Sequence, residues 1–427
     1  VANNGFFTII KNTSATVTIR GAFGLARIVV LLMIARKFGA GEFGQLALAL
    51  SIIDISKVVA DLGIDIIIIR RIAADLSSTE KLFGNIISLK LLFSTGCFFT
   101  APLAHVLIFE RAGGVELVFI VAFSIYTSLL INAFVSYFQA KLSMARVVIS
   151  NLTGAGIYIL LTIAGIGSDL PLRVVIVAMP LSELVTLALM LRQFRREAQL
   201  RLAFDKAVIF DILKESVFVG ISGIIVVTYL RLDTLVIGWF VGDRGVGEYA
   251  VAYRLVEPFL LIFSSLATSL YASLSGAWGV APLAQIRQTI KRVIVPVVML
   301  ALIGICGLSF LGRPFLNMLS DEYSKSANVL FVLSWSILFK AVNTQLTAIL
   351  NSLGKFRIIT IIAANNLLLC LALNLLLVPR YGILGAAATV VLVEAINMLL
   401  QLICIFYLTN NFFGKWLKRW QSDRNRR

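Results

Sequence analysis

Six basic side chains of this 427-residue chain, Arg27, Lys57, Lys90, Arg231, Arg254 and Lys340, lie inside apolar runs where water-solvated charge has no place. Each costs at least about 2.5 to 3.5 kcal/mol near the centre of a membrane helix, so each is expected to face water, a counter-charge or a ligand. Lys57 stands in the series Asp54, Lys57, Asp61, Asp65, whose steps of three, four and four put all four groups on one helical face. Arg231 is followed by Asp233, and Arg254 stands three residues before Glu257, the spacing of a helical ion pair. Arg27, Lys90 and Lys340 have no acid at helical spacing. Unpaired Lys and Arg in a dry cavity are suited to phosphate, because charge-assisted bonds to desolvated cations are strong. The acids Asp54, Asp61, Asp65, Asp233 and Glu257 read as structural counter-charges or as ion-sensitive groups, while Glu183 and Glu394 stand alone in their runs. Asn343, Asn365 and Asn366 add uncharged polar groups suited to lining the same cavity.

The elements that must carry these groups are membrane helices. Hydrophobic residues make up 59% of the chain and charged residues 14%, against roughly 25% charged in a soluble domain; the mean hydropathy is +0.95. Twelve apolar stretches are predicted as spans: 16 to 35, 43 to 69, 84 to 109, 115 to 138, 147 to 168, 172 to 191, 215 to 240, 246 to 275, 293 to 312, 327 to 350, 357 to 378 and 383 to 409. Each is close to or above the roughly 20 residues needed to cross the hydrocarbon. Basic residues crowd every second loop, as in Arg70, Arg71 and Lys81, or Arg287, Lys291 and Arg292, and again in the tail after Lys415. This rhythm places both termini in the cytoplasm. The net charge of +16 is therefore spent on orientation; it forms no stripe of the kind that binds nucleic acid.

The polar segment Arg192 to Lys214 divides the spans into six and six, predicting a bundle over 1–192, a cytoplasmic linker over 193–214 and a second bundle over 215–427 with a basic tail. Two echoes support duplication. Phe43 and its neighbours recur around Val246, and Lys141 recurs at Lys355 at nearly the same offset. Two halves that each begin inside and hold an even number of spans share one orientation, the arrangement of pseudo-symmetric bundles around a central cavity.

Cys97, Cys306, Cys370 and Cys404 sit in apolar runs without a CxxC pattern, and His105 is the only histidine, so neither disulfides nor a metal centre is expected. No GxxxxGK[ST], HExxH or comparable motif occurs. The chain is expected to be no enzyme and to need no cofactor. Energy for vectorial movement would then come from an ion or voltage gradient, or from consumption of product on the far side.

Three stretches, Phe43 to Arg71, Tyr229 to Glu257 and Asn351 to Ala388, resemble in order and spacing the polysaccharide and oligosaccharide-lipid flippases of the multidrug, oligosaccharidyl-lipid and polysaccharide exporter superfamily. The resemblance implies an inverted-V pair of six-helix lobes that alternates access across the cell inner membrane. It implies a polyprenyl-diphosphate-linked glycan as substrate, moved from the cytoplasmic to the outer leaflet through a cationic cavity formed by Arg27, Lys57, Lys90, Arg231, Arg254 and Lys340. A functional monomer in contact with membrane lipids, working beside a glycan polymerase or glycosyltransferases, is the corresponding expectation for partners. A cation-coupled multidrug or small-molecule antiporter is the first alternative. A membrane glycan polymerase, ligase or assembly scaffold is an alternative of another class.

Overall fold

Apolar residues with few breakers and no water to satisfy the backbone must bond their peptide groups internally, and in the computed structural model of the chain they do so as helices. The structure describes residues 2–74, 79–109, 113–278 and 281–424, with side chains left undescribed over 1–27, at 79 and 283, and from 409 on. Among the described residues thirteen α-helices follow one another: α1 (Ala2–Asp61), α2 (Ile64–Ala74), α3 (Thr79–Phe109), α4 (Val115–Ala140), α5 (Met144–Gly167), α6 (Leu172–Ile176), α7 (Ala178–Phe194), α8 (Lys206–Phe240), α9 (Asp243–Ser275), α10 (Leu283–Leu319), α11 (Ser326–Ser352), α12 (Phe356–Tyr381) and α13 (Ile383–Arg424). Among the described residues, nine helices are long and apolar enough to cross a membrane.

Predicted and observed boundaries differ at several places, among them the span predicted over 172 to 191, which is divided into α6 and α7 at Val177, and three more that shape the first unit. The first two spans run together as α1, broken at Gly39, whose φ of 75° lies in the left-handed region that glycine enters without a Cβ penalty. The second span is broken again at Leu62 and Gly63, both at positive φ, before it resumes as α2. The third difference lies in the linker. Its last part is already helix, because Asp205 caps α8 by accepting from the backbone N–H groups of Ala207 (3.1 Å) and Val208 (3.5 Å).

Packing divides the chain into two compact units, one ending at Val251 and the other beginning at Ala252. In the first unit α8 packs on α1, α2 and α3. An aromatic nest closes one end of that unit: Phe194 of α7 stacks on Phe83 of α3 at 4.9 Å between centroids and meets Tyr137 of α4 edge-on at 4.8 Å. The same unit holds a close crossing between α1 and the start of α9. A Cβ on Gly44 would sit 1.7 Å from the Asp243 carbonyl oxygen, and one on Gly247 would sit 1.9 Å from that of Ala40. With Phe43 matched to Val246, Ala40 corresponds to Asp243 and Gly44 to Gly247, so the two contacts are counterparts of each other. In the second unit Leu270, Leu274, Ile286, Leu346 and Ile349 form a core joining α9, α10 and α11.

Candidate functional site

The acidic face of α1 and α2 is the centre of the first unit's polar interior. Lys90 of α3, fully buried, extends its ammonium between Asp61 (2.5 Å) and Asp65 (2.7 Å), with the Leu129 carbonyl at 3.4 Å. These three acceptors use all three ammonium hydrogens. Arg231 of α8 bonds Asp54 at 2.7 Å across 177 residues of chain. Lys57 therefore loses both acids that helical spacing offered it. It is half-buried and has no hydrogen-bond or ion-pair partner among the described residues. The expectation that Lys90 lacks an acid is corrected, because its partners lie on another helix and are invisible to spacing along its own. Lys57, which helical spacing set beside Asp54 and Asp61, pairs with neither. Asp233 is buried and accepts from the Tyr249 hydroxyl at 3.3 Å.

The second unit treats its cations differently. Arg254 bonds Glu257 at 2.6 Å, the pair that their spacing predicts. Buried Lys340 donates to the Tyr253 hydroxyl at 3.1 Å and lies 4.9 Å from the centre of that ring, so a neutral aromatic group supports it. Asn343 donates to the Glu394 backbone oxygen (2.9 Å) and to its carboxylate (2.7 Å), which commits its amide to α13. Asn366 is buried, whereas Asn365, one residue away, is exposed. Neighbours on a helix point about 100° apart, which accounts for the difference. The side chain of Arg27 lies outside the described residues.

Two polar groupings escaped the sequence reading. Glu394, Asn397 and Gln401 of α13 form a ladder with Asn343 and Thr347 of α11, closed by Asn397 to Glu394 (3.4 Å), Gln401 to Asn397 (2.9 Å) and Thr347 to Gln401 (3.1 Å). The steps of three and four along α13 were the available signal. Glu183 of α7 accepts hydrogen bonds from Thr127 and from Ser128 (3.2 Å) of α4 and borders a cavity.

On the side read as cytoplasmic, a collar of ion pairs ties the linker and α8 to α2 and α3. Arg70 and Arg71 meet Glu215, Arg71 also meets Asp211 (2.6 Å), and Lys81 meets Asp205 (3.0 Å). The hydrogen bond from Lys81, with those from the Val208 and Ala207 amides, holds the Asp205 carboxyl below its ordinary range. Glu215, as hydrogen-bond partner, raises the Arg71 guanidinium above its usual value. On the opposite side Lys37 pairs with Asp169.

Long apolar helices whose charged groups turn inward to one another define a polytopic membrane transporter, and comparison with known proteins agrees. The polysaccharide biosynthesis protein family matches residues 9–277, and the chain belongs to that family. A second family, MatE, matches residues 219–376. The chain is 28% identical over 180 residues to the probable flippase AglR of Haloferax volcanii, covering 40% of this chain and 37% of that protein. It is 23% identical over 377 residues to the probable low-salt glycan biosynthesis flippase Agl15 of the same organism, covering 86% and 77% respectively. Among solved structures, the lipid II flippase MurJ in an inward closed conformation superposes with a TM-score of 0.77 at 13% identity, over 97% of this chain and 93% of its own. The superfamily resemblance read from the sequence is thus borne out, and the chain is a multi-pass transporter rather than an enzyme.

Proposed function

We propose that the chain moves a polyprenyl-diphosphate-linked oligosaccharide from the cytoplasmic to the outer leaflet of the cell inner membrane, by alternating access and with both termini cytoplasmic. The observation that carries this reading is Lys57, a half-buried ammonium whose neighbouring acids are held by Lys90 and Arg231. An uncompensated cation at membrane depth is costly by itself and is offset by an anionic headgroup. Relatives named as flippases for glycan biosynthesis supply the kind of cargo. In the first unit Lys57 contacts the diphosphate, and Lys90, between two carboxylates, orders the helices that present it.

The chain is built as two six-span halves, twelve spans in all, with 193–214 between them. The reciprocal contacts of Gly44 and Gly247 support that duplication, since counterpart surfaces meeting each other mark a two-fold relation. The protein works as a monomer, receiving its cargo from glycosyltransferases and delivering it to a polymerase. The MatE match over 219–376 favours a second reading, a cation-coupled antiporter of small molecules.

Reconstitution into liposomes with a labelled lipid-diphosphate glycan separates the two. Leaflet exchange that falls about tenfold or more in Lys57→Ala, at normal folding, supports flipping. No exchange by the native chain above that of empty vesicles, together with movement of an organic cation by the same vesicles, supports the antiporter.

A further inference from the structure

We infer that the outward face of the linker and of the first turns of α8 binds anionic phospholipid in the leaflet on that side of the membrane. The first observation is how charge is sorted there. Between Arg192 and Glu215 stand four acids, and all four are taken by cations outside the segment: Glu197 by Lys141 (3.2 Å) and Arg146, Asp205 by Lys81 (3.0 Å), Asp211 by Arg71 (2.6 Å), and Glu215 by Arg70 and Arg71. The same segment carries six cations, Arg192, Arg195, Arg196, Arg201, Lys206 and Lys214. All six are exposed, and none has an ion-pair partner among the described residues. Arg201 donates to the neutral amide of Gln199 (2.9 Å). Asp75, Glu110 and Asp423 are the acids whose side chains lie outside the described residues, too few to neutralise six cations.

The second observation is where apolar groups stand among those cations. α8 has 35 residues, a length of about 52 Å against the roughly 30 Å of a hydrocarbon core. The span expected within it begins at 215, so its first two turns stand at the level of the headgroups. Lys206, Phe210, Lys214 and Phe218 follow one another at steps of four and share one slowly turning face. All four are exposed, Phe210 by 71% and Phe218 by 78%. The opposite face is packed, with Ile209 and Ile212 buried in the core of the first unit. Leu202 and Phe204 of the linker are exposed as well, outside any expected span and on either side of the cations Arg201 and Lys206.

The pattern specifies the ligand. Orientation across the membrane needs only that cations occupy this place in the sequence. It does not account for acids and cations facing opposite ways, nor for phenylalanines set between the cations. Anionic phospholipid matches both features: its phosphate meets the ammonium and guanidinium groups, and its acyl chains meet the rings. Each Lys or Arg near an anionic membrane surface strengthens the attraction about fivefold. A zwitterionic headgroup carries no net charge and leaves the cations unmatched. An acidic protein surface matches the cations alone, because the stripe runs on through Phe218 into the hydrocarbon.

The test places the full chain carrying Phe210→Trp in phosphatidylcholine vesicles, without glycan, in which a minor fraction of lipid is brominated on its acyl chains and is either phosphatidylglycerol or phosphatidylcholine. Quenching beyond that of the five native tryptophans reports lipid at this position. Phosphatidylglycerol is expected to bind about fivefold or more tightly than phosphatidylcholine, and adding Lys206→Gln with Lys214→Gln is expected to remove that preference. Arg287→Gln with Lys291→Gln, an equal loss of exposed charge on α10, is expected to keep it. Equal quenching by the two lipids, a preference that survives the first pair, or one that falls as far with the second pair overturns the inference. So does a preference abolished by inorganic phosphate at constant ionic strength, which would assign the cations to free phosphate. Should the chain with the first pair fail to fold, salt decides: at about 1 M, where charge is screened beyond roughly 3 Å, the preference should disappear, and its persistence overturns the inference. The inference goes beyond transport and its test uses no glycan, so its failure would leave the flipping reading standing, and loss of flipping through Lys57 would leave this one standing.

Discussion

The two units solve the problem of polar groups in oil by different chemistry. In the first, cations and carboxylates meet across helices: Lys90 joins α3 to the acids of α1 and α2, and Arg231 joins α8 to α1. In the second, amides and hydroxyls do most of that work, through the ladder between α11 and α13 and the support of Lys340 by Tyr253. Arg254 and Glu257 pair there as charges, and they do so within one helix. Paired charges fix helix positions strongly, because either partner left alone is a buried ion. The ladder's rungs are amide and hydroxyl hydrogen bonds around one carboxylate, Glu394, and a single such bond is worth less than a buried ion's partner. The first unit is therefore the one whose arrangement is most sensitive to single substitutions.

The largest effect that tests this contrast is expected at Lys90. Lys90→Met leaves Asp61 and Asp65 facing each other without their cation, a loss of about 3 to 5 kcal/mol in stability. Thermal unfolding in detergent measures it, and adding Asp61→Asn and Asp65→Asn to the same chain should recover most of the loss. A triple variant no more stable than Lys90→Met would show that the cluster's worth lies elsewhere than in charge pairing.

Next in size is the ladder of the second unit. Asn343→Leu removes the donor to both the backbone and the carboxylate of Glu394, and is expected to destabilise by about 1 to 3 kcal/mol. A loss matching that of Lys90→Met would erase the distinction between the units. Lys57 provides the complementary case. With no partner among the described residues, Lys57→Ala should leave stability within about 0.5 kcal/mol of the native chain while glycan movement is lost. Equal losses of stability and transport would instead mark Lys57 as a structural residue.

What the residues disclosed in advance follows the range of the interaction. Helix positions were legible because a run of apolar residues is a local property, and Arg254 with Glu257 because helical spacing is local too. The pairs formed by Lys90 and Arg231 were hidden, since their acids lie 25 to 177 residues away in sequence. Counting acids along one helix therefore offered none to Lys90 and two to Lys57, whereas packing gives both Asp61 and Asp65 to Lys90. The break at Leu62 and Gly63 was hidden as well, because Gly63 stands as a lone glycine in an apolar run and Leu62 takes a positive φ that its type does not favour.

The smallest effect belongs to the collar outside the membrane. Asp205 caps α8 and meets Lys81, and these contacts hold its carboxyl below the ordinary value of 3.8. A group with a lowered folded-state pKa stabilises the fold at pH above its unfolded value and loses that contribution as pH falls through the folded one. Neutral conditions thus keep the full benefit, and acidification below 3.8 removes it. The group is exposed to solvent, so screening keeps the effect small. Protease accessibility of the segment between Arg195 and Asp205, compared in native protein and Asp205→Asn, measures it. The native chain should become as accessible as the variant only in acid; equal accessibility at neutral pH would show that the cap and its lysine contribute nothing to holding the linker on α3.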